Sequence, residues 1–219
     1  MREEPVFSAF VTNLGKYNEG ELVGEWVNFP TSNGEMQQVF RRIGLSPRYE
    51  EWFITDYDSS VPGLTDSLGE YESLSELNYL AHLVRDLGDL TKLEAVLDLG
   101  ESTGSVKELI NLTENLDCFE FLEGVRDDSG LGYYWAEDSG CYDTGRMGPL
   151  ARYLDYEAFG RDIRLEEGGV YGAGGYVRYT GDGFRELYSG DLSHIPEEYR
   201  IKGPECARQH SSRPFFPER

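Results

Sequence analysis

The stretch SLSELNYLAHLVRDLGDLTKLEAVLDLGESTGSVKELI, residues 73–110, decides how this chain is read. It holds three successive capping boxes, Ser73-x-x-Glu76, Thr91-x-x-Glu94 and Ser105-x-x-Glu108. Each sets a hydroxyl and a carboxylate where the first free N–H groups of a helix need acceptors. Gly88 and Gly100 stand where left-handed helix stops belong. Apolar stripes follow the caps: Leu74, Leu77, Leu80, Val84 and Leu87, then Leu93, Val96 and Leu97, then Val106, Leu109 and Ile110. The spacing predicts three short helices joined by tight loops, packed as a small bundle with most of their acids turned outward.

Upstream, Val6 to Leu14 and Leu22 to Phe29 are rich in β-branched and aromatic residues and flank the turn-forming Gly15 to Gly20, which predicts a wide hairpin. Met36, Val39, Phe40 and Ile43 recur at helical spacing and stop at Gly44, and a third strand is expected over Glu51 to Asp56. Downstream, Cys118 to Leu122 reads equally as a strand or a helical turn, and Leu131 to Ala136 as a buried helix. Pro149 suits the first turn of a helix carrying Leu150, Tyr153 and Leu154 and ending near Gly160, with Tyr153 and Phe159 in the core. Short strands are expected at Val170-Tyr171, Tyr176 to Thr180 and Phe184 to Tyr188, with a turn at Gly181-Asp-Gly183. From Asp191 onward, Pro196, Pro204, Pro214 and Pro217, mixed charge and few aliphatics describe a loosely packed or disordered tail. The expected fold class is α+β in three domains: a small α/β unit over 5–60, a central helical bundle over 61–104, and an α+β unit over 105–190, followed by the tail 191–219.

The net charge of −21 is distributed unevenly. Acids outnumber Lys and Arg by 12 to 5 over residues 1–70, 14 to 4 over 71–130 and 10 to 6 over 131–190, then balance at 5 to 5 from Asp191 to the end. The excess therefore belongs to the body of the chain, and no acidic tail exists. With 39% apolar and 13% aromatic residues there is enough to build a core, so high charge here does not mean disorder. Duplex DNA carries roughly one charge per 1.7 Å of axis. A compact chain of this length has a radius of gyration of roughly 17 Å, which spreads its charge at about one per 2 Å of diameter. The two densities are close.

Most chemistry is excluded by what is missing. The three histidines, His82, His194 and His210, accompany no GxSxG or comparable nucleophile motif. The glycine-rich Gly168 to Gly175 lacks the Lys-Ser/Thr ending of a phosphate loop, and reads better as a turn before a strand. Asp56-x-Asp58 and Asp127-Asp128 do not have EF-hand spacing. Cys118, Cys141 and Cys206 are odd in number and in no CxxC pair, which suits a reducing compartment. Met1-Arg-Glu-Glu-Pro opens no signal peptide and no apolar run reaches the length of a spanning helix, so the expected location is the cytoplasm, away from membranes. An acidic body repels a phosphate backbone, so direct binding of nucleic acid is disfavoured.

Specific residues then add to composition. Phe10-Val-Thr-Asn-Leu-Gly-Lys-Tyr-Asn-Glu-Gly-Glu-Leu-Val-Gly-Glu-Trp26, Tyr49-Glu-Glu-Trp-Phe-Ile-Thr-Asp-Tyr57, Ser73-Leu-Ser-Glu-Leu-Asn78 and Tyr153-Leu-Asp-Tyr-Glu-Ala-Phe-Gly-Arg-Asp162 closely resemble the ArdA antirestriction proteins, in order across residues 6–188. The last segment is the most specific. The resemblance implies an elongated, dimeric, acidic mimic of bent B-form DNA, encoded on mobile elements. Such a protein occupies the DNA channel of Type I restriction-modification enzymes, engaging their methyltransferase core. It also implies a dimer contact in the third domain and an antirestriction motif there, for which the fitting segment is Leu116 to Asp138. The tail and the glycine-rich Gly168 to Gly175 depart from the short members of the family.

The residues expected to stand for phosphates are Glu72, Glu76, Asp86, Asp89, Glu94, Asp98, Glu101, Glu108, Glu114, Asp117, Glu120, Glu123, Asp127, Asp128, Glu137, Asp138, Asp155, Glu157 and Asp162. The plain alternative is that these acids solubilise helices, complement helix N-termini or pair locally, as Asp162 would with Arg161. No catalytic residue, metal or cofactor is expected, and the partner is a Type I enzyme together with a second copy of the chain. Two rival readings stand beside this one: an acidic interaction module whose target is not a DNA-binding enzyme, and a carboxylate-dependent hydrolase.

Overall fold

The computed structural model describes residues 4–172, 174–181 and 183–204. Its chain is mixed α and β, with two three-stranded antiparallel sheets. The three-domain arrangement is not confirmed: contacts gather the chain into two compact units, one of Met1–Gly88, Gly104–Ile110 and Tyr188–Arg219, the other of Asp89–Thr103 and Asn111–Leu187.

In the first unit β1 (Phe7–Asn13) lies between β2 (Gly24–Phe29) and β3 (Trp52–Ser59). β1 is buried at six of its seven positions, as a central strand is when both faces of its pleat are covered. The expected wide hairpin is present, and its connection holds one helical turn, α1 (Leu14–Asn18), started by Asn13 Oδ1 accepting from Lys16 N at 3.0 Å. The β1–β3 register shifts between Phe10 and Val11, leaving Thr55 as an extra residue that bonds across to the Thr12 hydroxyl at 3.1 Å. Helix α2 (Asn33–Arg42) is capped by the Ser32 hydroxyl, buries Met36, Val39 and Phe40, and stops at Gly44 with φ +77°. Helix α3 (Leu74–Asp86) starts at Ser73, buries Leu74, Leu77, Leu80, Ala81 and Val84, and ends at Gly88 with φ +73°. Full burial of such side chains contributes roughly 1.5–3 kcal/mol each, so the apolar stripe does more to hold α3 than its cap.

In the second unit β6 (Gly175–Tyr179) lies between β4 (Phe119–Glu123) and β5 (Val170–Gly172). The segment Cys118 to Leu122, open between strand and helix in the sequence, is mostly strand. Helix α4 (Thr91–Leu97) belongs to this unit and packs on its sheet, so the helices expected to form one bundle are divided. Helix α5 (Val106–Glu114) contains the division, between Ile110 and Asn111. Helix α6 (Asp128–Tyr133) continues into a wider π-type turn over Tyr134–Asp138. Leu131 and Ala136 are buried in this stretch, whereas Tyr133 is exposed.

Four expectations need correction. The helix placed at Pro149 does not start there: Thr144–Tyr153 forms tight 3₁₀ turns kinked at Gly148, and α7 runs from Tyr156 to Glu167 with Asp155 as its cap. Gly160 is consequently in mid-helix. A Cβ there would collide with the main-chain oxygen of Asp128, and one at Gly132 with that of Tyr156, so the two glycines let α6 and α7 touch backbone to backbone. Second, Tyr153 is 77% exposed rather than core, because it lies before α7, while Phe159 is half-buried. Third, among the described residues of 183–188 there is no strand. Fourth, residues 191–204 are not a loose tail: Ile195 and Pro204 are buried, and the main chain bonds to side chains of α2 and α3. Residues 205–219, with Cys206 and His210, lie outside the described residues.

Candidate functional site

Among the described residues no Asp, Glu, Lys or Arg side chain is buried. Of the nineteen candidate carboxylates, thirteen are exposed and six, Glu72, Glu76, Glu94, Glu114, Glu120 and Asp128, are half-buried. These candidate carboxylates sort by what each one touches.

One set caps backbone. Asp127 accepts from Gly130 N at 2.8 Å and Asp155 from Ala158 N at 3.0 Å, starting α6 and α7. Ser105 Oγ accepts from Glu108 N at 3.2 Å as the sequence suggested, and the Glu108 carboxylate returns one residue before the cap, accepting from Gly104 N at 2.8 Å. Ser73 Oγ likewise accepts from Glu76 N at 3.5 Å, but the Glu76 carboxylate goes to the Tyr188 hydroxyl; separately, Glu72 accepts from Gly69 N at 3.0 Å. The Thr91 box does not form. Glu94 N is met by the Leu90 carbonyl at 2.9 Å, and Asp89 Oδ1 takes both Thr91 N (3.0 Å) and the Thr91 hydroxyl (2.8 Å). Those two bonds hold the Asp89 carboxyl below its ordinary range.

A second set is tied to side chains. Asp128 accepts from Arg164 Nε at 2.8 Å and from the Tyr171 hydroxyl at 2.8 Å; the guanidinium bond chiefly holds its carboxyl below the usual range. Glu120 meets Arg178 at 2.6 Å, and the same guanidinium reaches Glu167 at 3.5 Å. Burial pushes the Glu167 carboxyl up. Glu76 accepts from the Tyr188 hydroxyl at 2.7 Å, and burial, only partly offset by that bond, raises its pKa. Glu137 accepts from Tyr156 (2.8 Å) and Thr144 (2.9 Å). Asp86 and Asp162 have loose contacts with their neighbours Arg85 (3.8 Å) and Arg161 (3.9 Å), and Asp117 accepts weakly from the Cys118 thiol at 3.8 Å.

The remaining seven are mixed, and among them Asp98 and Glu114 have partners of their own. Glu101, Glu123, Asp138 and Glu157 are exposed and make no side-chain hydrogen bond or ion pair among the described residues; Asp98 is exposed beside Gly172, and Glu94 and Glu114 are half-buried. The sequence reading passed over further acids of this kind in the first unit. Glu50, Glu51, Asp58, Asp66 and Glu70 are exposed with no side-chain hydrogen bond or ion pair among the described residues. The signal was present in the 12-to-5 excess over residues 1–70.

Other chemistry finds little to work with. Among the described residues no group of His, Cys, Asp and Glu is placed to hold a metal ion, and no helix is long and apolar enough to cross a membrane. His82 stacks on Tyr199 with ring centres 4.0 Å apart, and its pKa is lowered, mainly by burial. Cys118 is a buried thiol and Cys141 an exposed one.

A family model described as antirestriction protein (ArdA) matches residues 9–178. The chain belongs to the ArdA antirestriction family. That span takes in every segment on which the resemblance was built: β1 to β2, β3, the start of α3 and the start of α7. Gly160, at which α7 meets α6, lies within the matched span. Antirestriction is the activity the family implies, by an inhibitor that interacts with restriction enzymes rather than by an enzyme. Among curated proteins none matches the chain.

Proposed function

We propose that this ArdA protein inhibits Type I restriction-modification enzymes as a DNA mimic, its exposed carboxylates taking the places of phosphates in the channel of the methyltransferase core. The observation that carries the reading is the absence of any buried acid among the described residues of a chain with a net charge of −21. Among the described residues the ion pairs that engage Glu120, Asp128 and Glu167 are half-buried, and the other acids keep their charge at the surface. The enzyme's Lys and Arg would meet Glu101, Glu123, Asp138 and Glu157 directly, together with the acids of the first unit, while the capping and bridged carboxylates add field from fixed positions. Inhibition is competitive and involves no catalysis.

In an elongated homodimer the charge doubles to about −42, matching roughly 42 phosphates or about 70 Å of duplex. The dimer contact expected within 105–190 has a candidate in the segment Tyr142 to Tyr153, where Tyr142, Met147, Leu150 and Tyr153 are exposed by 41 to 77%. The same strip favours the second reading, an acidic module that grips a different protein partner by apolar contact. The test is competition: the purified protein lowers DNA binding by a Type I methyltransferase core at low salt, and added salt weakens the effect as ion screening requires. No competition at low salt overturns the mimicry, and light scattering on a sizing column reports the dimer.

A further inference from the structure

Residues 188–204 lie wholly beyond residue 178, where the family match ends, yet they pack into the first unit. Tyr188 is 2% exposed and Ile195 0%, and Pro204 is buried. Between these anchors the main chain makes two short 3₁₀ turns, Leu192–His194 and Glu197–Tyr199, held by its own backbone bonds and by Arg200 donating to Ser193 O and Ile195 O at 2.6 Å. Over 199–203 its polar groups meet side chains of α2 and α3. Asn78 Nδ2 donates to Tyr199 O at 2.8 Å, and the Ser75 hydroxyl donates to Ile201 O at 3.2 Å and accepts from Ile201 N at 3.0 Å. Gln37 Nε2 donates to Lys202 O at 2.8 Å, and Asn33 Oδ1 accepts from Lys202 N at 2.8 Å.

Gln37, Ser75 and Asn78 are all under 9% exposed, on helices whose other buried residues are apolar. A helix buries such side chains at a cost unless they have partners. Here partners come from the main chain of one segment, 199–203, which the buried Tyr188, Ile195 and Pro204 anchor on either side. Asn78 is the hinge of the arrangement, since its Oδ1 also accepts from the buried Thr31 N at 2.7 Å and so joins the segment to the loop after β2.

We infer that residues 188–204 are a clasp that completes the N-terminal unit: α2, α3 and the first sheet reach their full stability only when this late part of the chain has closed on them. The unit is discontinuous in sequence, so its fold waits on residues made more than a hundred positions after α3, and the inhibitor is unfinished until then. The inference does not depend on DNA mimicry.

The test uses the full chain, with amide exchange read residue by residue and limited trypsin digestion at Arg200 and Lys202. In the unaltered protein both bonds are cut about 100-fold more slowly than in a free peptide of the same sequence, as an ordered segment requires. Gln37→Ala, which removes two donors to the clasp, raises both the cutting rate and the exchange of α3 amides by about tenfold. Ile195→Asp raises them further and leaves α6 and α7 protected. Cutting in the unaltered protein at the rate of the free peptide overturns the clasp. So does a variant that frees 199–203 while α3 keeps its protection. Where Ile195→Asp does not fold, Gln37→Ala decides by the same criterion.

Discussion

The two sheets differ in what charged side chains contribute to them. The first is held by apolar burial: Phe7 stacks on Phe29 at 5.3 Å, and Val11, Met36, Phe40 and Ile54 are almost wholly enclosed. Ion pairs of that unit such as Arg42–Glu25 and Arg48–Glu19 are at the surface, where a pair is worth only about 0–1 kcal/mol. The second sheet also buries apolar side chains, Phe119, Leu122, Tyr176 and Val177, with Leu93 and Val96 of α4 and Leu131 of α6 buried in the same unit. Its central strand is in addition braced by the half-buried Glu120–Arg178–Glu167 cluster, with Asp128, Arg164 and Tyr171 beside it. Carboxylates in the first unit can therefore be neutralised with little effect on folding, whereas several in the second are part of the structure. An acidic protein of this kind uses the same side chain for two purposes, and a charge map alone does not separate them.

The sharpest way to break this contrast is at the glycine contact. Gly160→Val forces α6 and α7 apart and costs more than about 3 kcal/mol, and amide protection is lost in α6 and α7 while β1 to β3 keep theirs. If both sheets lose protection together, the two regions are one cooperative body and the contrast fails.

Next in size are two carboxylates with opposite pH behaviour. Asp128→Asn leaves Arg164 without its charged acceptor and costs on the order of 1 kcal/mol at neutral pH. The Asp128 carboxyl is held below its ordinary value of 3.8, so its contribution is present above that value and is lost as pH falls through the lower folded value. Variant and parent melting curves therefore converge in acid. Glu76 is shifted the other way, above 4.5, so the folded state holds its proton more tightly than the unfolded chain and stability falls as pH rises through the raised value. Glu76→Gln lacks that fall and melts at or slightly above the parent near neutrality. Melting curves that shift in the same direction for both variants would contradict the assignments of Asp128 and Glu76.

The smallest effect on folding sharpens the functional side. Replacing Glu101, Glu123 and Glu157 together by Gln changes stability by less than about 0.5 kcal/mol per site, yet weakens competition with DNA and flattens its salt dependence. Unchanged competition would move the partner-facing surface elsewhere, with Glu50, Glu51 and Asp58 next to be examined.

How much was legible beforehand varies with how local the cause is. The starts of α2 and α3 and their glycine stops follow from residues within four positions of one another, and the sequence reading located them to within two residues. Thr91 misled because α4 is capped one residue earlier, at Leu90, so that Thr91 N goes to Asp89 and Glu94 N to the Leu90 carbonyl. Gly160 misled because a glycine that ends a helix and a glycine that admits a neighbouring backbone look alike until the neighbour is in place. The segment 191–204 read as loose because its partners, Asn33, Gln37, Ser75 and Asn78, are 121 to 169 residues away in the chain.

Taken alone, the residues determined the amount of negative charge, its concentration in the body of the chain, the ArdA resemblance, and the places where most helices of the first half begin and end. All of these are sums over composition or contacts between near neighbours. Tertiary structure decided which carboxylates remain available to a partner, because the groups that engage the others come from far along the chain: Arg164 reaches Asp128 across 36 positions, Arg178 reaches Glu120 across 58, and Tyr188 reaches Glu76 across 112. Pairing at such separations is set by packing and leaves no periodic trace in the sequence.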